Sequence, residues 1–264
     1  MKILLSNDDG FYAEGIQVLE KALAKAGHEV WVCAPESQRS ARSHAITIGQ
    51  PVTIKEIRDR HYTCSGNPAD CIMYFMHCNR SGRYKMGQPD LIIAGINDGY
   101  NMSNDVIYSG TVGAATEGTF FGIPSIALSA EDSPNAPFQD AADFLVSHLE
   151  TIKAMINKGS YININVPKNS RGQWEVCKPD MSEFYGHKIT ETSKDVFNFT
   201  GTPNKERFTQ NGSVYKQNPD EITDIDVAVV QNKIAVSAIK VIPIADEQMQ
   251  KKLQQMKQTD IEER

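Results

Sequence analysis

Two adjacent carboxylates, Asp8 and Asp9, follow the apolar run Ile3-Leu4-Leu5. Like charges at the end of a buried strand repel unless something positive lies between them. A hard divalent cation would resolve that conflict. With the Ser40 hydroxyl and the Asn97 amide oxygen, the donor set is all oxygen, which suits Mg²⁺, Mn²⁺ or Ca²⁺ and disfavours zinc or copper. The competing reading is that Asn7-Asp8-Asp9-Gly10 is simply a turn whose side chains cap the next helix. A second segment able to do chemistry, Ser109-Gly110-Thr111, opens a helix-favouring stretch. Its backbone N–H groups, two hydroxyls and the positive end of the helix dipole would together form an anion site, although Ser and Gly are also ordinary helix-start residues. Arg39 and Arg42 stand in the loop after the second apolar run and could pair with phosphate oxygens; nothing in the sequence ranks one above the other.

Several familiar chemistries fail on spacing. There is no Gly-x-x-x-x-Gly-Lys-Ser/Thr phosphate loop, no Gly-x-Gly-x-x-Gly turn after the first strand and no Gly-x-Ser-x-Gly nucleophile elbow. Asp8 and Asp9 are adjacent rather than two apart, which counts against an aspartyl-nucleophile phosphatase of the Asp-x-Asp type.

The elements that must hold these residues follow from periodicity. Lys2–Ser6 is a short buried strand ended by the Asn-Asp-Asp-Gly turn, and Ile16, Leu19, Leu23 and Ala26 trace one face of a helix stopped by Gly27. Val30–Cys33 supplies a second strand, so the first 35 residues make a βαβ unit with parallel strands. Ile46–Ile48 and Val52–Ile54 predict a small hairpin across Gly49-Gln50-Pro51. Asn67, Pro68 and Asp70 mark the start of a helix reaching Cys78. Leu91–Ala94 predicts a central strand ending at Gly95. A helix runs from Ser109 toward Phe121, a strand covers Ser125–Ser129, a long amphipathic helix covers Phe138–Asn157, and a strand covers Tyr161–Val166. Residues 168–222 turn polar and predict extended arms. Strand character returns over Ile225–Val230 and Ile234–Ile242, and a thin apolar stripe predicts a helix over Ala245–Arg264. In an open parallel α/β sheet, ligands bind at the carboxyl ends of the strands, which is where Asp8, Asp9, the Ser37–Ser43 loop, Asn97 and Ser109 all fall.

The chain has 264 residues, enough for one large domain or two small ones, and the composition predicts residues 1–167 as the core and 168–264 as an extension. With 27 basic against 33 acidic residues the net charge is −6, which argues against a general nucleic-acid or anionic-membrane binder. No apolar run is long enough for a signal peptide or a membrane span, so the expected address is the cytosol. Five cysteines without a Cys-x-x-Cys pair do not form a disulfide framework; Cys64, Cys71 and Cys78 with His61 and His77 leave a soft-metal site as the minor alternative to buried apolar thiols.

Five ordered segments resemble the SurE family (stationary-phase survival protein E), divalent-metal-dependent nucleoside monophosphate phosphatases. They are Ile3–Gly10, Ala34–Ser40, Gly66–Cys71, Pro89–Asn97 and Asp105–Val112. The resemblance implies a Rossmann-like core, with helices on both faces of a mostly parallel sheet, and C-terminal β-rich arms exchanged in homodimers or homotetramers. It implies one divalent cation per subunit, Mg²⁺ or Mn²⁺, held by Asp8, Asp9, Ser40 and Asn97. Asn101, Ser109, Gly110 and Thr111, with Arg39 nearby, would line the phosphate pocket. Asp8 or Asp9 would be the general base in hydrolysis of nucleoside 5′- or 3′-monophosphates. Asn67 stands where the family usually has Thr, Ser103 where it usually has Gly, and Ile239-Lys240 where it tends to have Thr-Pro; Thr223-Asp224 fits its C-terminal Thr-Asp. A nucleotide sensor without turnover, and an enzyme for polyphosphate or sugar phosphates, are the rival expectations.

Overall fold

The computed structural model describes residues 1–211 and 221–241. Strands β1 (Lys2–Ser6), β2 (Glu29–Pro35), β3 (Ile54–Arg58), β4 (His61–Cys64), β5 (Leu91–Asp98), β6 (Ser125–Ala130), β7 (Ser160–Val166), β8 (Trp174–Val176) and β11 (Ile234–Lys240) form one sheet in the order β3-β4-β2-β1-β5-β6-β7-β11-β8. The six strands from β4 to β7 in that order run parallel. β3 and β11 each pair antiparallel with their inner neighbours. β9 (Tyr185–Ser193) and β10 (Val196–Pro203) form a separate antiparallel hairpin, followed by α5 (Lys205–Asn211).

Strand alternation divides the core in two. Ile3 and Leu5 of β1 face α1 (Glu14–Lys25) and α4 (Phe138–Met155), packing with Ile16, Leu19, Leu145 and Leu149. Leu4 points the other way, toward Ile72 and Phe75 of α2 (Pro68–Arg80) and Ala114 and Ala115 of α3 (Gly110–Phe120). Such a sheet, with helices on both faces, is the α/β architecture anticipated. Gly15 lets α1 lie directly on β5, since a Cβ there would sit 2.1 Å from the Ile96 carbonyl oxygen. Gly15→Ala should therefore cost about 2–3 kcal/mol through forced separation of helix and strand. Urea unfolding of the variant checks this, and an unchanged midpoint would refute it.

Three local expectations are corrected. The hairpin falls on β3 and β4, turning at Asp59-Arg60, instead of on residues 46–54. Ile46 and Ile48 are exposed, so their alternation has no face to bury, and Thr47 is held outside the sheet by hydrogen bonds from its backbone N and Oγ1 to Asp70. β5 does not end at Gly95: the register shifts between Ala94 and Asn97 and the strand resumes, placing Asn97 opposite Ser129. Asp226–Val230 is a single helical turn, not a strand. Thr223 Oγ1 donates to Asp226 Oδ2 at 3.1 Å and accepts from Asp226 N at 3.3 Å, a reciprocal cap that overrides the β-branched valines. The helix predicted over Ala245–Arg264 lies outside the described residues.

The segment after residue 167 joins the sheet through β8 and β11, and it contributes Phe184, Phe208, Ile225 and Val227 to a third apolar cluster with Tyr100 and Met102. Its central polar tie is Asp224. This carboxylate is fully buried and accepts from Ser103 N at 2.9 Å, Asp180 N at 3.0 Å and Ile225 N at 2.9 Å. Burial outweighs those three donors and pushes its pKa up to about 7. Ser103 has φ +57°, a conformation that favours glycine. Its hydroxyl donates to the Ser182 carbonyl, a bond that glycine could not make.

Candidate active site

β2 and β4 lie on one side of β1, and β5, β6 and β7 on the other, so the strand order reverses between β1 and β5. Loops leaving the carboxyl ends of those two strands diverge and open a crevice. A cavity of about 550 Å³ lies there, and its lining brings together Asp8, Ser40, Asn97, Asn101 and Ser109 from four separate stretches of chain. Asp9, Arg39, Gly110 and Thr111 do not line it.

Asp8 is almost fully buried at the start of α3. Thr111 Oγ1 donates to its Oδ1, and the backbone N–H groups of Gly110 and Thr111 also favour its charged form. The anion held at this helix start is thus the protein's own carboxylate. Burial is the stronger influence and raises the pKa of Asp8. Gly110 makes the approach possible, because a Cβ there would lie 2.9 Å from Asp8 Cβ and 3.1 Å from Pro68 Cγ. Asp9 turns toward β5, where its Oδ2 accepts from Asp98 N at 3.0 Å. Burial, and then the charge of Asp8, push its pKa up to about 7.

The other donors are held in defined orientations. Asn97 Nδ2 donates to the Gly99 carbonyl at 2.8 Å, which leaves Oδ1 as the free end of the amide. Ser109 Oγ accepts from Val112 N as the α3 cap, so its proton remains available to a ligand. Asn101 Nδ2 donates to Ser129 Oγ at 2.8 Å, while its backbone oxygen accepts from Asn163 Nδ2 and Asn165 Nδ2. Arg39 is anchored at the rear: its backbone N donates to the Asp8 carbonyl at 2.6 Å and its Nη2 to the Ser65 carbonyl at 3.0 Å. Arg42 is exposed and does not line the cavity.

Sequence reasoning does not single out Asp98, Asp132, Tyr108, Tyr185 or Phe199, all of which line the cavity. Asp98 and Asp132 follow the same strand-end rule as Asp8 and could have been found by it. Tyr185 and Phe199 arrive on the β9–β10 hairpin and carry no local signal. The cysteines are free, with Cys33, Cys64 and Cys71 buried and their thiol pKa values raised. Among the described residues, no three His, Cys, Asp or Glu side chains are placed to hold a metal. The set at Asp8 and Asp9 has two acids, with a hydroxyl and an amide oxygen beside them. Adjacent carboxylates, one buried and one half-buried, whose pKa values are raised, and a free amide oxygen, fit a hard cation with oxygen ligands.

A doubly wound sheet with a carboxylate-rich crevice at its switch point defines a Rossmann-like protein with a polar small-molecule site. Within that class, the chain belongs to the SurE family: the family model described as Survival protein SurE matches residues 3–198. A 5′-nucleotidase SurE from Caldanaerobacter subterraneus is 35% identical over 272 residues, covering 97% of each chain. One from Desulfitobacterium hafniense is 39% identical over 200 residues, covering 75% of this chain and 72% of the relative. The crystal structure of the SurE protein from Aquifex aeolicus superposes with a TM-score of 0.77 at 27% identity, covering 97% of this chain and all of that one.

Proposed function

We propose that the protein hydrolyses nucleoside 5′-monophosphates, and 3′-monophosphates as a secondary class, to nucleoside and phosphate with one bound Mg²⁺ or Mn²⁺. The observation that carries this reading is the convergence of Asp8, Ser40, Asn97, Asn101 and Ser109 on one cavity at the switch point. Relatives named 5′-nucleotidase SurE support the substrate class.

Asp8, Asp9, Ser40 and Asn97 would hold the cation, which would supply Lewis-acid polarisation of the phosphoryl group and a more acidic water. Ser109 donates its hydroxyl proton to a phosphoryl oxygen, and the N–H groups at the start of α3 hold Asp8 in place. Asn101, fixed by Ser129, Asn163 and Asn165, presents its amide to the same group. Asp8 or Asp9 accepts the proton of the attacking water. Tyr108, Tyr185 and Phe199 offer ring faces for the base.

The exposed Ile189 and Phe197 of the β9–β10 hairpin would be covered in a homodimer or homotetramer. Among the described residues no helix is long and apolar enough to cross a membrane; a cytosolic address is part of the proposal.

The test is phosphate release from a panel of nucleoside 5′- and 3′-monophosphates with Mg²⁺ or Mn²⁺, repeated with a chelator. Metal-dependent release that stops on chelation is expected. Tight nucleotide binding with no release under either metal would replace the enzyme by a sensor.

A further inference from the structure

A second cavity, of about 380 Å³, lies between α1 and the outer strands β3 and β4, and none of its lining residues lines the crevice at the switch point. Its floor is apolar. Phe11, Ile16 and Val32 line it and belong to the core cluster on the α1 face of the sheet. The Phe11 and Tyr12 rings meet edge to face at 4.9 Å, and Tyr12 is 68% exposed, so ring surface is left over for a ligand.

Four polar side chains share this floor: Glu20 and Lys21 from α1, Arg58 from β3 and His61 from β4. His61 Nδ1 lies 2.6 Å from the Asp59 carbonyl, which can only accept, so that nitrogen carries a hydrogen. Its Nε2 then faces two demands it cannot meet together. Glu20 Oε1 at 2.7 Å calls for a hydrogen there, and Arg58 Nη2 at 2.9 Å calls for a lone pair. Arg58 is the member free to leave. Its side chain is 61% exposed, and among the described residues only its Nη2 is hydrogen-bonded, to Glu20 and His61, which hold each other without it. Lys21 is exposed and is in no ion pair among the described residues. The groove thus sets two cations, one of them with most of its guanidinium unused, against a single carboxylate that His61 already engages.

We propose that this groove is a regulatory site for a small aromatic carboxylate. The ligand's two oxygens take the unused edge of the Arg58 guanidinium, a planar fork that matches a carboxylate, with Lys21 beside them. Arg58 is thereby drawn off His61, whose bond to Glu20 is left unopposed. The ligand's ring lies on Phe11 and Tyr12, in a cavity of ordinary size for a small ligand. Phe11 carries the occupancy onward. It follows Gly10, whose N–H and carbonyl are both tied to the Asn7 side chain, and its own N donates to the Pro35 carbonyl at 2.8 Å. A ring packed on Phe11 therefore stiffens the turn that sets Asp8 and Asp9. The effect on turnover rests on the phosphatase reading above; the binding does not.

The test is calorimetric titration of the metal-free full chain with phenylacetate, and with acetate and 2-phenylethanol as controls lacking the ring or the charge. The wild type should bind phenylacetate at least about tenfold more tightly than either control. Arg58→Gln should weaken that binding about tenfold and Tyr12→Ala about threefold, at exposed positions that leave the fold intact. Phenylacetate near its wild-type Kd should slow amide exchange at residues 7–13 at least about twofold. With Mn²⁺ present it should also change kcat/KM for a nucleoside 5′-monophosphate by about twofold. Both effects should shrink severalfold in Arg58→Gln, whose turnover without phenylacetate should equal that of the wild type. Phenylacetate binding no tighter than the controls, or equally tight in Arg58→Gln, would overturn the site. Binding that leaves exchange and kcat/KM unchanged would overturn its regulatory role. A chain that binds phenylacetate through Arg58 yet releases phosphate from no monophosphate would refute the phosphatase reading and leave the site standing.

Discussion

Asp8→Asn should lower metal-dependent phosphate release by at least about a thousandfold while leaving the chain folded. The substitution keeps the shape of a side chain packed against Gly110, and its amide oxygen can still accept from Thr111 Oγ1. What it removes is the negative charge that, in the proposed reading, would share a cation with Asp9. Thermal melts with and without Mn²⁺ separate the two effects, because a ligand that binds only the folded state raises the midpoint in proportion to its occupancy. The wild type should gain stability on adding metal and the variant should gain far less. Without metal the sign reverses. The charge of Asp8 is one cause holding the carboxyl of Asp9 up at about 7, so its removal should make the metal-free variant at least as stable as the wild type above neutral pH. Near-wild-type turnover in Asp8→Asn would refute the assignment.

Asp224→Ala should be the most destabilising of the single substitutions considered, at roughly 3–5 kcal/mol, because it strands three buried backbone N–H groups at once. Those groups belong to Ser103 beside the cavity, Asp180 in the extension and Ile225 before the last helical turn. Loss of the hub should loosen the C-terminal segment from the loop bearing Asn101 before it affects β1 or β5. Among the described residues, hydrogen exchange would show this as faster exchange confined to residues near 100–105, 177–211 and 221–230. The pH dependence follows from linkage. The folded pKa of Asp224, about 7, exceeds its unfolded value of 3.8. The folded state therefore holds the proton more tightly, and stability from this group falls as pH rises from about 4 to 7. Denaturant midpoints at about pH 5.5 and pH 8 should differ more in the wild type than in Asp224→Ala; equal differences would refute it.

The fold was legible where local signals and burial agree. β1, β2, α2 and α4 follow from apolar runs, from the Asn67-Pro68-Asp70 start and from a stripe spaced by three and four. At Asp70 the signal understated the outcome, since this residue is fully buried and also receives Thr47 from 23 positions away. Alternation misled at Ile46–Ile48 because periodicity cannot say whether a partner surface exists. Valines misled at 226–230, where the Thr223–Asp226 cap was present in the sequence and outweighed them.

The candidate site divides along the same line. Asp8, Asn97 and Ser109 sit at strand ends or helix starts, so a topological rule finds them before any coordinates do. Asp224 and Phe199 come from far along the chain, and no local pattern in a single sequence announces a bond such as Ser103 N to Asp224 Oδ2, which spans 121 residues.

Asp8 and Asp9 occupy consecutive positions, yet one is held by the start of α3 and the other by the end of β5. Neighbouring duplicates usually buffer a lineage against loss, since either copy can cover for its twin. Here the two acids are not copies. An extra methylene at position 8 would press on Gly110, and a one-residue deletion in Asn7–Asp9 would hand each carboxylate to the wrong support. Mutational drift should therefore find both positions closed even to glutamate, while exposed positions such as Arg42 remain free to change.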